Sequence, residues 1–324
     1  MRIAINGCGV AGPTLAWWLK KYGYEPVLFE KSSQLRTGGY IIDFWGLGFE
    51  VAERMGLLPR LEQVGYHVQR LSVVDEQGRE RTGLDATIFS SLTDGRYLSL
   101  PRGDLAEIVF NACSDVEVRF GTYVTALDQN SERVRVGLSD GSEEQFDLVI
   151  GADGLHSRVR QLAFGPQSEF EQDLGYYACA FRLPDYPHRD ELVYVSHTIP
   201  KRQMARFSLR DGSTLLFLVF HSDLVDRVPT GVDGVKAALR KVFAGMEWEA
   251  PEVLRRLDQT RRIYFDRVSQ IRMDDWSLGR VALVGDAAAC ASLLAGEGSG
   301  LAMLEAYVLA GELMSAKGDH KTAF

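Results

Sequence analysis

Gly7-Cys8-Gly9-Val10-Ala11-Gly12 lies directly after Arg2-Ile3-Ala4-Ile5-Asn6 and directly before Pro13-Thr14-Leu15-Ala16-Trp17-Trp18-Leu19, and its reading decides how this chain begins to fold. The β-branched run before it predicts a strand. Pro13 to Tyr22 predicts a helix closed by Gly23, because proline is tolerated in a helix's first turn and glycine just past its end. Pro26 to Glu30 predicts a second strand. A glycine-rich turn between a strand and a helix is the context that a dinucleotide fingerprint needs. Gly7 permits the tight turn, Gly9 lets a pyrophosphate approach the backbone, and Gly12 lets helix and strand pack closely. Val10 and Ala11 lie in the cofactor-binding turn just before the helix, whose unpaired N–H groups and positive dipole end face the phosphates. Glu30, eighteen residues past Gly12, is placed to accept hydrogen bonds from an adenosine ribose, with Lys31 beside it. The fingerprint by itself serves NAD and FAD equally.

Composition bounds the rest. A length of 324 residues fits about two domains, each with its own apolar core. The formal charge of −8 argues against nucleic acid as a partner, since a phosphate backbone calls for a basic face. No apolar run approaches the roughly 18 residues that span a bilayer, so no integral membrane association is expected. The chain enters a strand without a basic, then apolar, leader, which predicts a cytoplasmic address. Cys8, Cys113, Cys179 and Cys290 are far apart in sequence and form no Cys-x-x-Cys pair. They read as small buried hydrophobes, with neither a disulfide framework nor a metal site.

Further along, the pattern predicts short strands at 116–120, 122–127, 133–138 and 145–150, with Asp140-Gly141 as a hairpin turn. These read as a β-meander inserted in the first domain. Strands at 176–182, 192–196, 203–209 and 214–221, followed by helices near 232–246 and 251–257, predict an antiparallel sheet covered by helices. The chain then returns to a buried strand at 280–284 and a helix from about Gly298 to Met314. The expected fold class is α/β: a Rossmann-like domain over 1–170 and 262–324 with the inserted meander, plus an α+β substrate-binding domain over 171–261.

Two more glycine motifs follow strands. One is Gly151-Ala152-Asp153-Gly154-Leu155-His156-Ser157-Arg158-Val159-Arg160; the other is Gly285-Asp286-Ala287-Ala288, followed by Gly296-Glu297-Gly298-Ser299-Gly300 at a helix start. An aspartate directly after a buried strand and a glycine is a carboxylate aimed at a ligand hydroxyl. The helix start adds free N–H groups that can stabilise negative charge. With these motifs in order, the sequence resembles the class A flavoprotein monooxygenases, the para-hydroxybenzoate hydroxylase-like family, which includes aromatic and polyketide hydroxylases and tetracycline-modifying enzymes. The resemblance covers nearly the whole chain.

The resemblance implies FAD as cofactor and NADH or NADPH as transient reductant. It implies hydroxylation of a small aromatic or polyketide-like substrate by O2 through a flavin C4a-hydroperoxide. It places Asp153 and Gly154 at the border of FAD and the nicotinamide approach, Asp286 on the ribityl chain, and Gly296, Gly298 and Ser299 at the flavin. Arg102 matches an arginine at a helix start that reaches the flavin, and Val124 a strand residue meeting the adenine. Gly38 to Gly46, including Asp43, matches the segment passing the isoalloxazine, with Arg36 just before it. A single fingerprint leaves no second fold for the nicotinamide cosubstrate, which would then bind near Arg36 and Arg158.

Two features depart from the family pattern. Ser292 and Leu293 stand where proline is common, and Gly300 where asparagine is frequent; the family also usually continues with more helix past the position of Phe324, so the chain is expected either to be naturally short or to lack a C-terminal part. Phe217, Met204 and Arg206 are candidate substrate contacts, although alternation does not tell which strand face meets the flavin. No catalytic base emerges, and the oligomeric state stays open. A flavin-dependent halogenase, a reductase on the same scaffold and a non-catalytic flavin- or ligand-binding protein remain as alternatives. The Trp-x-Trp-x-Ile-Pro of halogenases is absent.

Overall fold

A computed structural model describes residues 1–324 except 36, 37 and 188. At its centre the strand Arg2–Asn6 pairs in parallel with Glu25–Glu30 on one side and Leu148–Gly151 on the other. Glu117–Phe120 extends the sheet beyond Glu25–Glu30, and Val281–Leu283 extends it beyond Leu148–Gly151; the two-residue strand Ser277–Leu278 closes that edge antiparallel. The chain thus builds one half of the sheet outward from Arg2–Asn6, then crosses to the other side. Such a reversal opens a crevice at the carboxyl ends of the central strands, where ligands of open α/β sheets bind. All three glycine motifs sit at those ends.

The sequence places four strands between 116 and 150 in one meander, and the structure divides them. Val124–Gln129, Val134–Leu138 and Glu143–Phe146 form a separate three-stranded antiparallel sheet, whereas Glu117–Phe120 and Leu148–Gly151 are strands of the parallel sheet. The run expected at 145–150 is therefore two strands. Its break falls at Asp147, whose carboxylate accepts the Arg2 N–H at 2.7 Å. Val134, Val136, Leu138 and Phe146 from the small sheet pack against Val27, Phe29 and Val149 of the large one.

A seven-stranded sheet forms the other half of the molecule, in the order Tyr264–Ile271, Glu171–Leu183, Thr214–His221, Arg202–Ser208, Val193–Ile199, Arg70–Val74 and Glu80–Asp85. Its last two strands come from the segment that the sequence assigns to 1–170, and its first from 262–324. Glu80–Asp85 is exposed along its whole length and carries no alternating apolar signal, as befits an edge strand. Helices Gly231–Val242 and Ala250–Arg256 cover one face of this sheet, burying Met204, Leu216, Leu218 and Phe220 beneath Leu239, Val242 and Val253.

Among the described residues no helix is long and apolar enough to cross a membrane. All four cysteines are free and buried.

Candidate flavin site

Between the two sheets runs a cavity of about 1190 Å³ onto which all three glycine motifs open. The first motif is shaped by close backbone approach. A methyl group on Gly12 would lie 2.0 Å from the Gly7 carbonyl oxygen, and one on Gly7, at φ +115°, would lie 2.4 Å from that of Ala152. Gly9 differs: a methyl there would meet nothing nearer than the Arg102 guanidinium, at 4.0 Å. Gly7 and Gly12 are therefore demanded by the protein's own packing, and Gly9 leaves an open cradle above helix Ala11–Lys21.

Glu30 is buried at the end of its strand, where its carboxylate accepts the N–H of Cys8 at 3.0 Å and of Ser32 at 2.9 Å. Those bonds fix its orientation at the cavity wall, beside exposed Lys31. Arg102 opens helix Arg102–Asn111 and lines the same cavity. Its guanidinium makes no hydrogen bond or ion pair with any described residue, an unusual state for a half-buried cation, which ordinarily finds a partner.

Asp153 lines the cavity, but its carboxylate is engaged by the protein. It accepts from the Asn6 side chain at 2.9 Å, the Arg158 N–H at 2.7 Å, the Val159 N–H at 3.2 Å and the Ser157 hydroxyl. Two of these donors open helix Arg158–Ala163, so the aspartate holds that helix start to the end of the central strand. Asn6 completes the link by accepting the Val124 N–H at 3.0 Å. Val124 itself is fully buried and does not line the cavity; its neighbour Tyr123 does.

The third motif lies opposite. Gly285–Ala287 is a single 3-10 turn after the strand Val281–Leu283, and Asp286 projects from it into the cavity. A methyl on Gly298 would sit 3.5 Å from an Asp286 carboxylate oxygen, which places that carboxylate beside the N-terminus of helix Gly298–Ser315. Gly296, Gly298 and Ser299 line the wall there. Ser292 takes φ +141° and caps its own loop by accepting the Leu294 N–H at 3.2 Å. Gly300 packs against helix Gly46–Arg54 so tightly that a methyl on Gly48 would lie 2.4 Å from the Gly300 Cα. Burial, reinforced by the Asp286 charge, pushes the Cys290 thiol up to about 12, so it lines the cavity as an inert neutral group.

Several groups escaped the sequence reading. Arg160 is fully buried and ties two motifs together, donating to the Leu155 carbonyl at 2.6 Å and to the Ala287 carbonyl at 2.8 Å. Its place at the end of the second motif was the one available signal. Tyr40 and Tyr264 face each other at 5.5 Å between ring centroids, with Phe217 at 5.7 Å from Tyr40. Both tyrosines line the cavity, and neither hydroxyl has a protein hydrogen-bond partner among the described residues. Tyr264 comes from the opposite sheet, so its proximity to Tyr40 is invisible in sequence. His156, on the second motif's loop, meets Asp266 of the seven-stranded sheet at 3.1 Å.

The Asp266 hydrogen bond raises the His156 pKa against the opposing effect of burial. The stability this pair contributes is thus fully present below about pH 6.5 and declines as pH rises through the raised value. Asp266→Asn is expected to return the His156 titration midpoint downward, as followed by the ring proton shifts in NMR.

Met204, Arg206 and Asp43 also lie outside the cavity lining. Met204 is fully buried under helix Gly231–Val242, on the sheet face turned away from the cavity. Arg206 shares that face, where its guanidinium donates to Glu249 at 2.8 Å, pairs with Asp190 and lies 5.9 Å from the Trp248 ring centroid. Phe217, one register step off, points the other way and does reach Tyr40. Asp43 is exposed and outside the cavity lining, held at 2.6 Å by both Tyr97 and Ser99 hydroxyls. Arg36 falls outside the described residues. Arg206→Met is expected to lower stability by about 2 kcal/mol, because Glu249 keeps its Arg189 and Tyr186 partners, with FAD affinity unchanged. Denaturant melts paired with flavin titrations check this.

An open glycine cradle at a helix N-terminus, a cation with no partner among the described residues and a carboxylate aimed across the cavity fit FAD. The sequence profile of the FAD binding domain family matches residues 1–321, and the chain belongs to that family. FAD is accordingly its cofactor, and it is an oxidoreductase of the flavin-dependent monooxygenase kind. It is 35% identical over 324 residues to a flavin-dependent monooxygenase from an unknown prokaryotic organism, covering 100% of this chain and 83% of that protein. A second flavin-dependent monooxygenase, from Legionella longbeachae serogroup 1 (strain NSW150), is 34% identical over 335 residues, again covering 100% and 83%. Among solved structures, tetracycline destructase Tet(51) superposes with a TM-score of 0.87 at 32% identity, over 100% of this chain and 84% of that one.

Proposed function

We propose that this monooxygenase hydroxylates a planar aromatic or polyketide-like small molecule, with NADH or NADPH as reductant and O2 as oxygen donor. The observation that carries the reading is the pair of cavity-lining rings Tyr40 and Tyr264, with Phe217 packed behind Tyr40, set where the two sheets meet beside Arg102 and the Asp286 turn. Flat rings bind such walls by offset or edge contacts, and two free hydroxyls supply polar recognition. The likeness to a tetracycline destructase supports a polycyclic substrate.

The parallel sheet, with its reversal point at Arg2–Asn6, acts as a Rossmann-like flavin unit, and the three-stranded sheet as its inserted meander. The substrate unit draws its strands from 70–85, 171–221 and 264–271. Gly9 admits the diphosphate to the N–H groups of Val10 and Ala11, Glu30 receives the ribose, and Arg102 neutralises charge on the cofactor. Asp286 accepts from the ribityl hydroxyls, and the start of helix Gly298–Ser315 faces the electron-rich edge of the ring. Asp153 serves by holding the central strand and helix Arg158–Ala163 in register. Exposed Arg158 at the cavity edge meets the nicotinamide nucleotide. When bound, the flavin supplies hydride acceptance and activation of O2; the residues around it bind, orient and exclude water.

Substrate-stimulated NAD(P)H oxidation over a panel of aromatics and tetracyclines, with label from 18O2 appearing in the product, tests the reading. Oxidation that no panel member accelerates, with no label in any organic product, would overturn it. Asp286→Ala is expected to weaken FAD binding about twentyfold by removing charge-assisted hydrogen bonds. Fluorescence titration of the apoprotein measures it.

A further inference from the structure

We propose that Glu305 is a positioning residue for the flavin: from helix Gly298–Ser315 its carboxylate accepts the Gly285 N–H and so fixes the turn that aims Asp286 into the cavity. The proposal rests on Asp286 being a flavin ligand.

Gly285 begins the Gly285–Ala287 turn, so its N–H is among the donors that a helix start leaves without an internal acceptor. Gly285 is also buried, and a buried backbone donor needs a partner. An N-cap side chain serves the second or third N–H of a turn rather than the first, and Val284 makes no side-chain cap at all, so this donor must find its acceptor elsewhere. Glu305, twenty residues on, takes over at 2.5 Å. It reaches the turn because it lies two helical turns past Gly298, on the stripe that also carries Ala302, whose Cβ would lie 3.4 Å from a methyl on Gly285.

The same turn is held at its other end by Arg160, through the Ala287 carbonyl. With Gly285 N–H and Ala287 C=O both tied, the intervening Asp286 backbone has one orientation. Burial, and to a lesser degree the Asp286 charge, push the Glu305 carboxyl up to about 7. Holding a carboxylate there carries an energetic cost, consistent with a group retained for what it positions.

The experiment is a double-mutant cycle on FAD affinity, read by flavin fluorescence, alongside thermal melts of each apoprotein. Glu305→Ala is expected to weaken FAD binding about fivefold in the native background and under twofold in Asp286→Ala, because the aimed carboxylate is already gone. Glu305→Gln, whose carbonyl still accepts, is expected to restore binding to within about twofold. Glu305→Asp, one methylene short and the mildest change to folding, is expected to fall in between.

Equal losses in both backgrounds, or unchanged affinity in Glu305→Asp and Glu305→Ala, would overturn the proposal. A loss in Glu305→Ala with none in Asp286→Ala would instead remove the flavin role of Asp286, and the proposal with it. A lower melting temperature with unchanged affinity marks a purely structural residue and also overturns it.

Discussion

Gly12→Ala is expected to lower stability by about 3 kcal/mol and to strip the protein of FAD. The added methyl would stand 2.0 Å from the Gly7 carbonyl oxygen, a backbone atom that no rotamer change can move aside. Relief requires helix Ala11–Lys21 to lift from the strand Arg2–Asn6, or the Gly7 turn to open. Gly7 cannot give way cheaply, since it sits under the Ala152 carbonyl and donates its own N–H to Phe29 at 2.7 Å. Either displacement moves the Val10 and Ala11 N–H groups out of the open cradle proposed to hold the diphosphate, so stability and cofactor retention should fall together. Thermal melts and the flavin absorbance of the purified variant measure the two effects. Gly9→Ala gives the contrast: its methyl meets only open cavity and a distant guanidinium, so folding should survive while FAD affinity drops.

Arg102→Met should separate the two effects as Gly9→Ala does, with a loss of about 2 kcal/mol in FAD binding, roughly thirtyfold, and no loss of apoprotein stability. The guanidinium has no partner to abandon among the described residues, and replacing it relieves an uncompensated half-buried charge. Arg102→Lys keeps the charge but not the planar fork and should fall between. Titration of apoprotein with FAD, set beside melts without FAD, checks both. A large drop in apoprotein stability would mean that the side chain is a structural member of the helix start.

The motif residues were legible because their demands are local. Gly12 answers to a steric contact with Gly7, five residues away, and Glu30 lies at the end of the next strand, whereas the backbone that crowds Gly7, at Ala152, comes from far along the chain. The helix-covered strands of the second sheet were legible from their runs of apolar residues, and Thr214–His221 spans the range read from sequence. Legibility ended where a residue's role depends on what a distant segment places against it. Asp153 looks like Asp286 in sequence, each following a strand and a small residue. In space Asp153 is consumed by four protein donors, and Asp286 faces an open cavity. Met204 and Arg206 were misplaced because alternation gives two faces without naming them, and helices Gly231–Val242 and Ala250–Arg256 decide which is covered. Val124 missed the cavity wall by one residue, since Asn6 claims its N–H.

From sequence alone came the first glycine turn, the order of the three motifs and the apolar strands, because each is written in short-range sterics, capping and periodicity. Only the tertiary structure joined Arg70–Val74 and Glu80–Asp85 to the second sheet, set Tyr264 against Tyr40, left Arg102 without a partner among the described residues and brought Glu305 to Gly285. Those outcomes depend on contacts between residues far apart in the chain, which pairing register and packing fix and no local pattern encodes.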